Sequence, residues 1–402
     1  MRRIRNARVP PRPLRFPIVA ASEHLVVPTD RGLYCAAGDF FIDPWRPVDR
    51  AVVTHAHSDH ATPGCGRYLC SAIGVEVLRP RVHPGAFIQG ARYGQPVSVS
   101  GVRVSLHPAG HLLGSAQVRV EHAGRVEVIT GDYKVAPDLT CDAFEPVPCH
   151  RLITESTFGL PIYRWRPEAE LAAEMNAWWA GNIAAGRTSV VFAYALGKAQ
   201  RVLSLLDRSL GPVVVHGSVK RFVEVYEAAG VDLPDCEKST PESRKEAKGR
   251  GLVVAPPSVQ GTAWLKKFAP MSQSFASGWM LVRGNRRRRG VDRGFVVSDH
   301  TDWPGLLQTI EATGCESVGV THGYCEPVVR HLHEQGMNAD VVPTRYTGEP
   351  EEEPASPGED ADGDDGAAMV TADLGELAAA EPWAVPLDDD AAAAPPTKAA
   401  QR

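Results

Sequence analysis

No window of the 402-residue chain approaches the roughly eighteen uninterrupted apolar residues that a membrane-spanning helix needs, so a protein anchored in that way is not expected. The eight cysteines, at 35, 65, 70, 141, 149, 236, 315 and 325, form no CxxC pair and no dense framework. They read as the reduced thiols of a cytoplasmic protein. The start, MRRIRNARVPPRPLRFP, is rich in arginine but lacks the apolar stretch of a secretory signal, and it reads as a flexible basic arm over residues 1–16. No internal repeat is present. Basic and aromatic residues are scarce in one region: from Gly348 to Arg402 only Lys398 and Arg402 oppose 15 acidic residues, a net of −13. Such a segment cannot bury enough surface to offset the entropy of ordering and is expected to be a disordered acidic tail, 348–402.

What precedes the tail is basic. Residues 1–347 carry +8 although the whole chain carries −5, a balance that favours a polyanionic partner. An apolar share of 43% and a charged share of 23% are those of a globular protein. Short β-type runs at His24–Val27, Leu33–Cys35, Phe40–Ile42, Ala51–Thr54, Val97–Val104, Ala116–Glu121 and Val126–Thr130 predict a meandering sheet, with a helical pattern over Ala72–Leu78. From about Pro167 helices and strands alternate: Glu168–Ala185, Ser189–Tyr194, Lys198–Leu206, Pro212–His216, Val219–Ala229 and Gly251–Ala255. Strict alternation predicts a parallel α/β insertion. The strand Phe295–Ser298, helix Leu306–Thr313, strand Ser317–Thr321 and helix Pro327–Gln335 read as a return to the first domain. The expected divisions are a body of 17–160 and 290–347 and an insertion of 161–289.

The segment Val53-Thr-His-Ala-His-Ser-Asp-His60 follows an apolar strand and puts three imidazoles and a carboxylate within six residues. These are the ligand types that hold Zn²⁺. In an irregular turn, His55 and His57 can converge on one ion while Asp59 and His60 face a second. His111, in Pro108-Ala-Gly-His-Leu-Leu-Gly114, and Asp132, in Thr130-Gly-Asp-Tyr133, stand just past expected strands or loops, each after a glycine that permits a tight turn.

That series, His55-x-His57-x-Asp59-His60, His111 and Asp132, resembles the motifs of the metallo-β-lactamase fold. Thr154-Glu-Ser-Thr157, Ser298-Asp-His-Thr-Asp302 and Thr321-His-Gly323 resemble the three further motifs of its β-CASP nuclease branch. Gly32-Leu-Tyr-Cys35, Phe41-Ile-Asp-Pro-Trp-Arg-Pro-Val-Asp49, Phe275-Ala-Ser-Gly-Trp279 and the arginine run before Val291-Asp-Arg-Gly-Phe295 are similar to stretches of the bacterial ligase-associated DNA exonucleases. The resemblance implies an α/β chain: a metallo-β-lactamase αββα sandwich with an inserted parallel α/β β-CASP cap. It implies two Zn²⁺, with Mn²⁺ as the alternative. His55, His57 and His111 would hold one ion, Asp59, His60 and His322 the other, and Asp132 would bridge both. His300 would protonate the leaving oxygen and Glu155 would orient it, which with Asp59 makes the expected catalytic set.

The insertion, placed between the Glu155 and His300 motifs, corresponds to the cap that turns the site into a slot. Lys198, in Tyr194-Ala-Leu-Gly-Lys198, and the run Arg283, Arg286, Arg287, Arg288 and Arg289 are the expected nucleic-acid contacts. Trp279 and Trp303 read as core. The expected function is a zinc-dependent DNA exonuclease working in repair beside an ATP-dependent ligase. His322 supports an alternative, because a histidine there resembles the RNA-processing members whereas the Artemis-type repair enzymes carry valine. A small-molecule hydrolase is a further reading that the cap and arginine run oppose, and a non-catalytic scaffold is opposed by the complete ligand set.

Overall fold

The computed structural model describes residues 24–83, 85–345 and 383–387. The basic arm and most of the acidic tail lie outside the described residues.

Six short strands form the first sheet in chain order: β1 Val26–Pro28, β2 Leu33–Cys35, β3 Phe40–Ile42, β4 Arg50–Val52, β5 Arg67–Ser71 and β6 Ile88–Ala91. The first three meander antiparallel, but β3 to β6 run parallel to one another. The meander expected from the sequence is therefore corrected to a mixed sheet. Parallel neighbours need crossover connections in place of tight turns. The crossover from β4 to β5 is the segment that carries the three clustered histidines.

The second sheet begins with β7 Val97–Val99, β8 Val102–Pro108, β9 Ala116–His122, β10 Arg125–Ile129 and β11 Arg151–Ser156. The chain then leaves to build the insertion, with β12 Thr188–Phe192, β13 Val213–Val215, β14 Glu237–Lys238, β15 Leu252–Ala255, β16 Met271–Ala276 and β17 Arg293–Phe295. It returns through β18 Ser317–Gly323 and β19 Asn338–Val341, which extend the second sheet to the order β19-β18-β11-β10-β9-β8-β7. Because β8 and β10 each pair antiparallel with β9, and β10, β11 and β18 pair parallel, the carboxyl ends of β8, β10, β11 and β18 share one edge. Ligands of α/β sheets gather at such an edge.

Alternation with a period of two sorts the apolar residues. Ile42, Val52 and Leu69 point between the sheets to meet Leu106, Val118, Ile129 and Ile153. Phe41, Ala51, Val53 and Cys70 point to the other face, towards Val77 and Leu78 of the helix Val75–Val82. Val126, Val128, Leu152, Val318 and Val320 face the helices Trp303–Thr313 and Cys325–Glu334. The result is helix, sheet, sheet, helix. Phe40–Ile42 is apolar throughout, whereas Val102–Pro108, Ala116–His122 and Arg125–Ile129 alternate apolar with polar residues.

The insertion is an all-parallel sheet in the order β14-β13-β15-β12-β16-β17, parallel as the alternation predicts, but the division expected at residue 290 is corrected, because Arg293–Phe295 pairs with β16 at the edge of this sheet and not with the body. Sequence reading misses β16, whose buried positions include Ser272 and Ser274; the Ser274 hydroxyl donates to the Val190 carbonyl at 3.0 Å, so a polar run fills a buried strand. The arginine run, given no secondary structure in the sequence reading, is the helix Arg283–Arg289.

The disorder expected for the whole tail is corrected at Trp383–Leu387. There β20 Val385–Pro386 pairs antiparallel with β7, and Trp383 and Ala384 are buried against the core between the sheets. A lone tryptophan and a small apolar residue are enough to cover the sheet edge. Among the described residues no helix is long and apolar enough to cross a membrane.

Candidate metal centre and active site

The site is assembled from the ends of strands. Past β4, Thr54 is clamped to Asp43, which follows β3: the Thr54 amide donates to Asp43 Oδ1 at 2.8 Å and its hydroxyl to Oδ2 at 2.6 Å. The same Oδ2 accepts from His60 Nδ1 at 2.7 Å. Asp43 adopts φ +44°, a left-handed conformation that costs on the order of 1–3 kcal/mol in a residue with a side chain. Three hydrogen bonds hold it there. His111 follows β8 through Gly110, and Asp132 follows β10 through Gly131, both glycines at positive φ. A Cβ on Gly131 would lie 2.6 Å from Thr54, so the two metal-facing loops touch only because that side chain is absent.

Three ring nitrogens converge. His57 Nδ1 lies 3.2 Å from both His55 Nε2 and His111 Nε2, and His55 Nε2 lies 3.6 Å from Asp132 Oδ2. Four ligand atoms about 2.0–2.1 Å from a tetrahedral ion stand about 3.3 Å apart, so this donor set fits a zinc-sized cation. The second set is looser. His60 Nε2 stands 3.5 Å from Asp132 Oδ2 and 3.7 Å from Asp59 Oδ2, and its ring stacks on that of His322 with centroids 5.3 Å apart. His60 Nε2 is buried with no hydrogen-bond partner among the described residues, as an atom reserved for a cation would be. His322, like Asp43, is held at positive φ, and Gly323 beside it packs where a Cβ would stand 2.4 Å from the Ser156 carbonyl.

Without a cation, electrostatics distinguish the two sets. Burial, reinforced by His60 and His111, holds His55 well below the usual histidine range, and burial lowers His111 to about 3. Both are therefore neutral, the form that ligates. Burial also opposes charge on His60, but Asp132, Asp59 and Asp43 together outweigh it and hold that pKa well above the ordinary value. Burial pushes Asp132 up, yet His60 and His300 overcome it and keep the carboxylate ionised.

Sequence reading gives Asp43 no role, although a carboxylate closing the strand Phe40–Ile42 is a visible signal. Replacing it by Ala should free the His60 ring and weaken cation binding about 10- to 100-fold, measured with chelator-buffered zinc. Unchanged affinity in a folded Asp43→Ala protein would remove the orienting role.

Beyond the metal set lies a buried pair. His300 Nδ1 meets both Glu155 oxygens, at 2.9 and 3.0 Å, and both residues are about 1% exposed. Glu155, on β11, also accepts from the Tyr133 amide and the Thr157 hydroxyl. Burial pushes the Glu155 pKa up while His300 works to lower it. His300 Nδ1 is 4.0 Å from Asp132 Oδ2, and the His300 and His111 rings are 4.8 Å apart, so the pair adjoins the converging donors.

The insertion reaches into the site, but differently from the expectation. Lys198 does not face a phosphate: it is fully buried, 3.0 Å from Asp299 Oδ1. The loop ahead of it contributes through its backbone, with the Leu196 carbonyl 3.2 Å from His57 Nε2, positioned to accept that ring's hydrogen and leave Nδ1 for a cation. A lysine opening a helix looks alike in sequence whether it meets a ligand or a buried aspartate 101 positions away. Arg283, Arg286, Arg287 and Arg288 are exposed and have no acidic partner among the described residues, whereas Arg289 lies over the Phe275 ring at 4.5 Å. Trp303 is core, as expected; Trp279 is only half-buried.

No family model matches the chain. Over 314 residues, 77% of its length, it is 31% identical to a probable DNA ligase of Opitutus terrae. Over 142 residues, 35% of its length, it is 34% identical to endoribonuclease ysh-1 of Neurospora crassa. The chain spans only 30% of the first relative and 16% of the second. In fold it resembles a protein of unknown function from Enterococcus faecalis, with a TM-score of 0.51 at 11% identity, covering 74% of this chain and 80% of that one.

Proposed function

Because the chain belongs to the β-CASP branch of the metallo-β-lactamase-type nucleases, we propose that it is a two-metal phosphodiesterase that degrades single-stranded DNA from an end. The observation that carries the reading is the meeting of His55, His57 and His111 nitrogens at cation spacing beside the buried His300–Glu155 pair. His55, His57, His111 and Asp132 would hold one ion, and Asp59, His60, His322 and Asp132 a second. Two zinc or manganese ions bound there would acidify a water and neutralise charge building on the phosphoryl oxygens.

The chain's own groups supply the rest. Glu155 fixes His300 Nδ1, which leaves Nε2 to deliver a proton to the departing oxygen. Asp43 and Leu196 orient His60 and His57. The helix Arg283–Arg289 offers exposed guanidinium groups to the backbone phosphates. Converting Arg286, Arg287 and Arg288 to Gln should flatten the salt dependence of binding, by about 0.7 in the log–log slope for each phosphate of a single strand that is no longer neutralised. An unchanged slope would place the nucleic acid elsewhere.

DNA is favoured over RNA because the ligase-named relative matches over 77% of the chain, whereas endoribonuclease relatives match over 35% to 60% of it. An ATP-dependent DNA ligase is the partner this suggests. The test is degradation of labelled single-stranded DNA and RNA of matched sequence, each end protected in turn, with zinc or manganese. Faster loss of DNA to mononucleotides, abolished by protecting one end, is expected. Faster loss of RNA across several sequences would replace the substrate, and internal cleavage would replace the exonuclease mode.

A further inference from the structure

Five aromatic side chains gather beside His300. Phe158 is the buried centre, its ring 4.8 Å from those of Tyr163, Trp165 and Trp279 and 5.9 Å, edge to face, from His300. Tyr324 completes the group, 6.1 Å from Tyr163 and 6.3 Å from Trp279. Trp165 is tied to the same loop: its indole N–H donates to the His300 carbonyl and its backbone N–H to the Asp302 carboxylate, both at 2.9 Å. Phe158 and Tyr163 are buried as core aromatics are, but Trp165, Trp279 and Tyr324 remain half-buried.

The three part-exposed rings come from separate, rigidly placed segments. Trp165 follows β11, Tyr324 follows β18 directly after His322 and Gly323, and Trp279 stands on the turn after β16 of the insertion. That turn presses on the body through Gly278, where a Cβ would lie 2.5 Å from the Phe158 ring. The Trp279 carbonyl accepts from the Asn285 side chain at 3.1 Å, which links the ring to the helix of exposed arginines. Among the described residues no member of the group has a ring contact with His55, His57, His60 or His111; its ring contact with the site is that of Phe158 with His300.

We infer that Trp279, Tyr324 and Trp165 form a stacking subsite for one unpaired nucleobase, that of the nucleotide departing with the oxygen that His300 protonates. The inference rests on the nuclease reading and adds to it which base is held and by what. Part-exposed aromatic faces beside a phosphodiester site suit a base, since every base has a π-face and stacking needs it unpaired. The group meets His300 through the Phe158 ring and the Trp165 indole N–H, and among the described residues none of its rings meets those of His55, His57, His60 or His111, so the base it holds is assigned to the leaving side.

An oligonucleotide in which only the linkage nearest the attacked end is cleavable, the others being blocked, tests this when an abasic residue is placed on either side of that linkage. The product termini report which fragment carried the leaving oxygen. With the wild-type protein, removing the leaving-side base should lower kcat/KM about tenfold, and removing the other base should have a smaller effect. Trp279→Leu keeps bulk at the Phe158 seam and should lose about tenfold on the intact strand with little further loss on the leaving-side abasic strand. Trp279→Phe should recover most of that loss. Equal rates on intact and abasic strands, or additive losses in Trp279→Leu, would overturn the subsite while leaving the nuclease reading in place. No hydrolysis of the intact strand would remove the nuclease reading and the subsite with it.

Discussion

Asp132→Ala should cost the protein both its metal and its hydrolytic rate, the latter by at least about a thousandfold. The carboxylate is the one group shared by the two donor sets: Oδ2 stands 3.6 Å from His55 Nε2 on one side and 3.5 Å from His60 Nε2 on the other. Its removal takes a ligand from both sets at once. It also takes away the charge that does most to keep His60 protonated in the metal-free protein, leaving Asp59 and Asp43 to oppose the burial of that ring. The fold should survive, because Asp132 sits in a loop past β10 and the sheets close over apolar residues that do not include it. Metal content by elemental analysis and hydrolysis of single-stranded DNA, read on the same preparation, are the measurements. Retention of two ions per chain with a depressed rate would show that Asp132 acts on the chemistry without joining the ions. Full rate without metal would discard the metal centre altogether.

Part of the candidate centre is marked in the sequence, by three histidines in six residues and by a glycine before both His111 and Asp132. What holds the ligands is harder to see. Asp43 lies 17 residues from His60, and Leu196 lies 139 residues from His57 and acts through a carbonyl that any residue type carries. In the insertion the three helices before residue 230 and the strands β12, β13 and β15 are legible because buried parallel strands are apolar throughout, whereas the short helices Pro241–Ala247, Ala263–Lys266 and Arg283–Arg289 are not. β16 is not, since its serines bond within a buried sheet. Lys198 shows the reverse failure, a charge that belongs to a buried pair with Asp299 and not to a surface. The partner's identity depends on how the insertion packs on the body, and no local pattern encodes that. Trp279 fails in the same way: a large apolar residue is usually core, and only its position at the seam with Phe158 and Tyr324 leaves it part-exposed beside His300.

His300→Ala should lower turnover by about a hundredfold or more while leaving metal content and DNA affinity near their wild-type values. The separation follows from where the side chain is anchored. Its Nδ1 is engaged by Glu155, and the atom nearest it among the carboxylates of the metal set, Asp132 Oδ2, is 4.0 Å away, too far for a hydrogen bond. A group so placed can deliver a proton without holding an ion. Glu155→Gln keeps the side chain's shape and its contact with the Tyr133 amide but withdraws the charge that steadies the imidazole, so it should reproduce part of the loss, roughly tenfold to a hundredfold. The double variant should then be little worse than His300→Ala alone, because Glu155 acts through His300. A leaving group of low basicity gives the sharpest discrimination, since it departs without a proton. On an oligonucleotide ending in a p-nitrophenyl phosphodiester the His300→Ala defect should shrink markedly, while that of Asp132→Ala should persist. Equal defects on both substrates, or loss of zinc from His300→Ala, would move His300 out of proton transfer and into the framework that holds the centre.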